Sequence, residues 1–312
     1  MHRDQDLSVR PPAVAGLFYP ADPAQCQRVA RRLVEGDGAE GAGSAGQRAE
    51  TSPTAGRPLL GAIVPHAGWV ASGAVAGQSI RALAASWKGE PPQVVVVFGA
   101  VHTPIDLPVA AFDSHRRWEM PGGEFEVSQE LSAGLVETSD LFAVDDRLHA
   151  REHAVEVELP LIRAAWPDAT VLPVEVPLTD FSGEIGRITA RQVETAGYRA
   201  VYLASSDLTH YGPAYRFAPA GVGPQGLAWA KENDRRLLDL VEAMRIDDVV
   251  PEVRQRASAC GGGAIAAMLA ACREAGATGA TVLRHANSFE TLAAVAPQPP
   301  TDAVGYAAVV VG

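Results

Sequence analysis

The chain has 312 residues, of which 47% are hydrophobic and 20% charged, and its formal net charge is -11. This mixture can bury a core and excludes a disordered chain, while the negative balance argues against a nucleic-acid partner, which needs clustered Lys and Arg. The opening residues Met1 to Asp6 lack the apolar stretch of a signal peptide, and no apolar run reaches the roughly 18 residues of a membrane span, so a cytoplasmic protein without a membrane partner is expected.

In chain order, Arg10 to Pro20 (RPPAVAGLFYP) is too rich in Pro and Gly for a regular element and leads into a helix expected over 23–34. Residues 36–57 carry almost no large apolar side chain and many Gly, Ser and Ala, which predicts a flexible surface insertion. Beyond it, short apolar runs alternate with stretches of helical period, the signature of parallel strands joined by helices. Strands are expected over 59–64, 94–98, 170–176, 200–204, 281–283 and 304–311, and helices over 74–87, 154–165, 182–195, 225–245 and 263–274. The reading is one α/β domain spanning 1–312, with a mostly parallel central sheet flanked by helices.

Three of the expected strands run straight into histidine-bearing loops: Val64 into Pro65-His66-Ala67-Gly68, Phe98 into Gly99-Ala100-Val101-His102, and Ala204 into Ser205-Ser206-Asp207-Leu208-Thr209-His210. In open α/β sheets, ligands bind at the carboxyl edge of the strands, where loops converge over a rigid base. One histidine in such a loop is ordinarily a hydrogen-bonded turn residue; three in equivalent places point to a common site. His153 and Glu156 stand three apart where a helix is expected to begin, so both could face that site; the alternative is a helix start enriched in acids that complement its dipole. Cys260 sits in Ser258-Ala259-Cys260-Gly261-Gly262-Gly263 just before a helix, where the dipole and free amides favour a thiolate suited to a ligand or nucleophile. Cys26 and Cys272 read as small apolar fillers, and three sparse cysteines cannot staple a chain of this length.

The segments RPPAVAGLFYP, AIVPHAGWVASG, FGAVHTP, HAVEVELP, SSDLTHYG, the ACGG loop and VGYAA, taken in order, resemble the Memo family, whose bacterial and archaeal members are also called AmmeMemoRadiSam system protein B. The resemblance spans nearly the whole chain. It implies a fold similar to the class III extradiol dioxygenases of the LigB type and places His66, His102 and Cys260 at the family's metal positions, with Asp207, His210, His153 and Glu156 lining the same pocket. Iron and copper are the metals it implies, and a radical SAM protein and an AMMECR-type protein are the partners. The chain departs from the family at Ala100-Val101, where Pro-Asn or Pro-Ser is usual, and in the length of the 36–57 insertion.

Two histidines with a thiolate differ from the two-histidine, one-carboxylate set of a ring-cleaving iron enzyme, and sulfur favours Cu(I), Zn or thiolate-bound iron. Three functions therefore stay open. The first is metal-dependent redox chemistry on an unidentified substrate, with His210 as the acid/base group and Asp207 and Glu156 orienting imidazoles. The second is a Cys/His hydrolase using Cys260, and the third a scaffold that keeps the pocket without turnover and recognises a peptide or partner protein; an unidentified small molecule or a peptide is the expected ligand across these readings.

Overall fold

In the computed structural model, the described residues are 8–36, 58–105, 108–297 and 299–312; the expected insertion lies, past Gly36, outside them. Counting the main-sheet strands in chain order, they are β1 (Gly61–Val64), β2 (Val94–Gly99), β3 (Ala110–Phe112), β4 (Phe142–Val144), β5 (Thr170–Glu175), β6 (Ala200–Ser205), β7 (His210–Tyr211), β8 (Ala280–Asn287) and β9 (Ala303–Val311). The helices used below are α1 (Pro23–Glu35), α2 (Trp69–Ser86), α3 (Gln129–Thr138), α4 (Leu159–Ala165), α5 (Ser182–Thr195), α6 (Pro224–Glu242), α7 (Ile246–Arg256) and α8 (Gly262–Glu274).

The sheet runs β7-β9-β1-β6-β2-β5-β3-β4, with β8 also paired to β9. Its centre, β1-β6-β2-β5, is parallel, whereas β7, β8 and β9 join antiparallel at one side and β3 meets β5 antiparallel at the other. The central sheet flanked by helices follows the expected α/β class. Its edges are more mixed than a mostly parallel sheet, because β9 returns antiparallel against β1.

Alternation along the central strands assigns the two faces. Ile63, Val94, Val96 and Phe98 pack with Leu131 of α3, Ile185 of α5, Leu237 of α6, Val249 of α7 and Leu269 of α8. Ala62, Val64, Val95 and Val97 face the other way, onto Cys26 and Ala30 of α1, Ile80 and Leu83 of α2 and Leu161 and Ile162 of α4. A strand buried on both faces reads as a continuous apolar run, which is why Val94 to Phe98 is legible as one. No described helix is long and apolar enough to cross a membrane.

Two expected helices are different. The stretch 154–165 is a turn, a single 3-10 turn at Glu156–Glu158, and then α4, whose start coincides with Pro160 in its first turn. The stretch 225–245 ends at Glu242; Met244 then takes a left-handed φ of 52° and the chain restarts as α7.

Candidate metal centre

Strand register explains why distant loops meet. Val64 pairs with Ser205, and Ser205 in turn pairs with Gly99, so β1, β6 and β2 end level with one another. The loops leaving them carry His66, Asp207 and His102 into one crevice.

The His66, His102 and His153 rings each offer a nitrogen, all within 4.8 Å of one another. Ring centroids are 5.1 Å apart for His66 and His102, 5.4 Å for His66 and His153, and 4.6 Å for the stacked His102 and His153. His66 lies at the buried floor and His102 at the open side.

Hydrogen bonds set two of the three tautomers. Glu152 Oε1 lies 2.9 Å from His102 Nδ1, and Oε2 accepts the His102 backbone N–H at 2.6 Å. Burial opposes ionisation of Glu152, yet the bonds from the His102 side chain and backbone and the His153 amide win and hold its carboxyl at about 2. An ionised carboxylate only accepts, so the His102 tautomer that fits carries its hydrogen on Nδ1 and presents Nε2 to the cluster. His66 Nδ1 lies 2.9 Å from Ser205 Oγ, whose own hydrogen goes to the Ala154 carbonyl at 2.6 Å. His66 therefore also donates from Nδ1. Burial above all, opposed by Asp207 and aided by His102 and His153, pulls the His66 pKa down to about 4, and burial lowers His153 likewise. At neutral pH His66 and His153 are uncharged and carry the lone pairs a metal requires.

Cys260 Sγ sits 3.3 Å from His66 Nε2, so the thiol adjoins the histidine cluster through His66. Its loop is drawn tight: a Cβ on Gly261 would lie 2.7 Å from the Ser206 Cβ, and one on Gly263 would strike the Pro177 carbonyl. The expected thiolate is opposed, because burial and the nearby Asp207 carboxylate push the Cys260 thiol well above its ordinary range. Together they outweigh the hydrogen bonds with the Asp207 backbone and the Ser206 hydroxyl, which act the other way.

Asp207 is buried, and its Oδ1 accepts the backbone N–H groups of His66 at 3.0 Å and Ala67 at 3.3 Å. Its Oδ2 stands 3.8 Å from His210 Nε2. Burial works against the charge, but His66, His210 and the Ala67 amide keep Asp207 below the usual carboxylate range. His210 is half-buried with its ring edge-on to Tyr215 at 5.0 Å. It is joined to the cluster through Asp207 and is not one of its three nitrogens.

The expected role of Glu156 is corrected. Its carboxylate is fully buried and pairs with Arg10 Nη1 at 2.9 Å, accepts the Ala13 and Val14 amides at 2.7 and 2.8 Å, and accepts the Tyr19 hydroxyl at 2.8 Å. His153 and Glu156 share no helical face, because His153 precedes the turn at 154–155 and lies on no helix. Arg10 also donates to the His149 carbonyl at 2.9 Å and to that of Glu152 at 2.5 Å, and stacks over Trp118 at 4.1 Å. Glu156 and Arg10 thus clamp the opening segment onto the loop that carries Glu152 and His153. Phe18 of that segment packs edge-on against His153 at 4.9 Å. Sequence reasoning misses Glu152, the carboxylate that does orient a site histidine; its one signal is adjacency to His153.

The donor set fits a transition metal: two imidazoles with Nε2 freed, a third within reach, and a soft sulfur beside them. The chain matches the family model described as Memo-like protein over residues 10–310. It is 32% identical over 307 residues to a MEMO1 family protein of Methanosarcina barkeri, covering 97% of this chain and all of that one. Similar relatives are MEMO1 family proteins of Methanosarcina mazei, at 32% identity over 98% of this chain and 100% of the relative, and of Thermococcus onnurineus, at 31% over 97% and 99%.

Proposed function

The chain belongs to the Memo-like protein family, and from that premise we propose that it binds one redox metal ion, iron or copper with zinc as a further candidate, through His66, His102 and His153, with Cys260 as a fourth donor. The observation that carries this reading is the convergence of the three ring nitrogens within 4.8 Å, two of them with their Nδ1 hydrogens tied down behind. A catalytic site leaves room for a substrate beside its protein ligands, and the open side at His102 would provide that room. When bound, iron or copper would supply one-electron chemistry toward oxygen, in keeping with a dioxygenase-like, LigB-type reading of the fold.

In this reading His210 is the acid/base group, and Asp207 orients it while anchoring the His66 backbone. The chain would act in the cytoplasm beside a radical SAM protein and an AMMECR-type protein, which co-purification from native cells tests. Elemental analysis of anaerobically purified protein tests the metal: about one equivalent per chain, lost in a His66→Ala, Cys260→Ala double variant, is the expected result.

The 3.3 Å contact between Cys260 Sγ and His66 Nε2 favours a second reading, a Cys/His hydrolase with His66 as base. The raised thiol weighs against it. Hydrolysis of an ester that needs no metal and stops on alkylation of Cys260 would select it.

A further inference from the structure

Thr209 of the SSDLTHYG segment and Gly305 of the VGYAA segment are accounted for by two polar residues buried in the middle of α6, Asn233 and Asp234. Asp234 Oδ1 accepts the Thr209 backbone N–H at 2.9 Å, and its Oδ2 lies 3.0 Å from His285 Nε2 on β8. Gly305 on β9 donates its N–H to the Thr209 carbonyl at 3.0 Å and accepts the Leu208 N–H at 2.8 Å, and a Cβ there would strike the Asp234 carboxyl. Thr209, which stands between Asp207 and His210, is thereby held at both of its backbone polar groups.

Asn233 holds the Thr209 side chain and also reaches a second loop. Its Nδ2 donates to Thr209 Oγ1 at 3.0 Å and to the Arg256 carbonyl at 3.1 Å. A carbonyl only accepts, so the second bond fixes which way the amide faces. Arg256 is the last residue of α7, where carbonyls lack partners within the helix. Ala257 after it takes a left-handed φ of 49°, which a residue with a Cβ keeps only where its surroundings impose it. Beyond this turn the loop meets the Asp207 loop directly: Ala259 bridges Leu208, Cys260 N–H donates to the Asp207 carbonyl at 3.3 Å, and Gly261 N–H donates to Ser206 Oγ at 2.9 Å. Asn233 supplies the tie at the α7 end, before the thiol is reached.

We propose that Asn233 is a positioning residue that anchors the start of the Cys260 loop to Thr209, so that the thiol is held from both sides at 3.3 Å from His66 Nε2. The loop after β6, with Asp207 and His210, and the loop between α7 and α8, with Cys260, come from elements far apart in the chain. One amide on α6 sets them in register. The tie holds with or without a metal; that the thiol it places is a ligand rests on the metal reading.

The test reads the thiol itself. In full-length, metal-free protein, alkylation of Cys260 by iodoacetamide is followed by peptide mass spectrometry, which counts the buried Cys26 and Cys272 apart. The rate should rise about tenfold in Asn233→Leu, the change in a local opening equilibrium that loss of a buried hydrogen bond brings. Leu237→Ala, which trims the buried face of the same helix, should label at close to the wild-type rate despite its lower stability. An Asn233→Leu protein labelled at the wild-type rate, or a Leu237→Ala protein labelled as fast as Asn233→Leu, overturns the proposal. Should Asn233→Leu fail to fold, Thr209 decides: faster labelling in Thr209→Val beside a wild-type rate in Thr209→Ser, which keeps the hydroxyl, supports the tie, and equal rates in the two overturn it. Labelling that depends on Asn233 in a protein that never binds Co(II) would uphold the positioning role and sink the metal reading alone.

Discussion

Glu152 grips His102 at two points, Oε1 2.9 Å from ring Nδ1 and Oε2 2.6 Å from the backbone nitrogen. One carboxylate thereby fixes both the ring's tautomer and the loop that carries it. Replacing Glu152 with Ala should weaken Co(II) binding by about 10- to 100-fold, the range for losing a carboxylate behind a metal-bound histidine. Competition titration against a chelator measures it, and an unchanged affinity would remove Glu152 from the site.

The Arg10–Glu156 pair should matter for stability more than for chemistry. Arg10→Met strands a buried carboxylate and should cost roughly 3–5 kcal/mol in urea unfolding, whereas Arg10→Met with Glu156→Leu should recover much of that loss. A single variant as stable as the wild type would contradict the clamp.

Glu158 and Glu175 are both fully buried, and desolvation raises both well above the ordinary carboxylate range. A raised carboxyl binds its proton in the folded state but loses it on unfolding above about pH 4.5, the ordinary glutamate range. Their stabilising contribution is therefore full below that pH and falls as pH rises toward the folded values, by at most about 1.4 kcal/mol per pH unit for each group. Between pH 5 and 8 the wild type should lose stability that a Glu158→Gln, Glu175→Gln protein does not, and parallel pH profiles would refute the assignment.

His210 meets the cluster through Asp207, at 3.8 Å. His210→Ala should leave metal stoichiometry at the wild-type value while abolishing any turnover. Loss of metal in this variant, measured by elemental analysis, would make it a ligand and end its acid/base role.

Much of this architecture is legible in the order of the residues. Val94 to Phe98 announces a strand buried on both faces, and the loops after Val64, Phe98 and Ala204 advertise their histidines, because a parallel strand points its carboxyl end at the same edge each time. Short elements leave no such trace: Ala110–Phe112 and Phe142–Val144 are three residues each, too brief for a period to register. Glu156 misleads because its spacing from His153 presumes a helix that begins only at Leu159. Cys260 misleads in chemistry and not in place, since a helix dipole does not offset the desolvation that comes with burial beside Asp207 and His66. Ser205 and Glu152 act through partners far along the chain, and no local pattern marks them.

That His66, His102 and His153 hold a metal together, with Cys260 beside them, is tested most directly by titrating metal-free protein with Co(II) and following its visible and near-ultraviolet absorption. Saturation is expected at about one equivalent, with a tetrahedral ligand-field spectrum and a sulfur charge-transfer band that Cys260→Ser removes. Severe loss of binding is expected in each of His66→Ala, His102→Ala and His153→Ala. Saturable binding that survives all three histidine variants, or no binding in the wild type, would contradict a metal centre built on these residues.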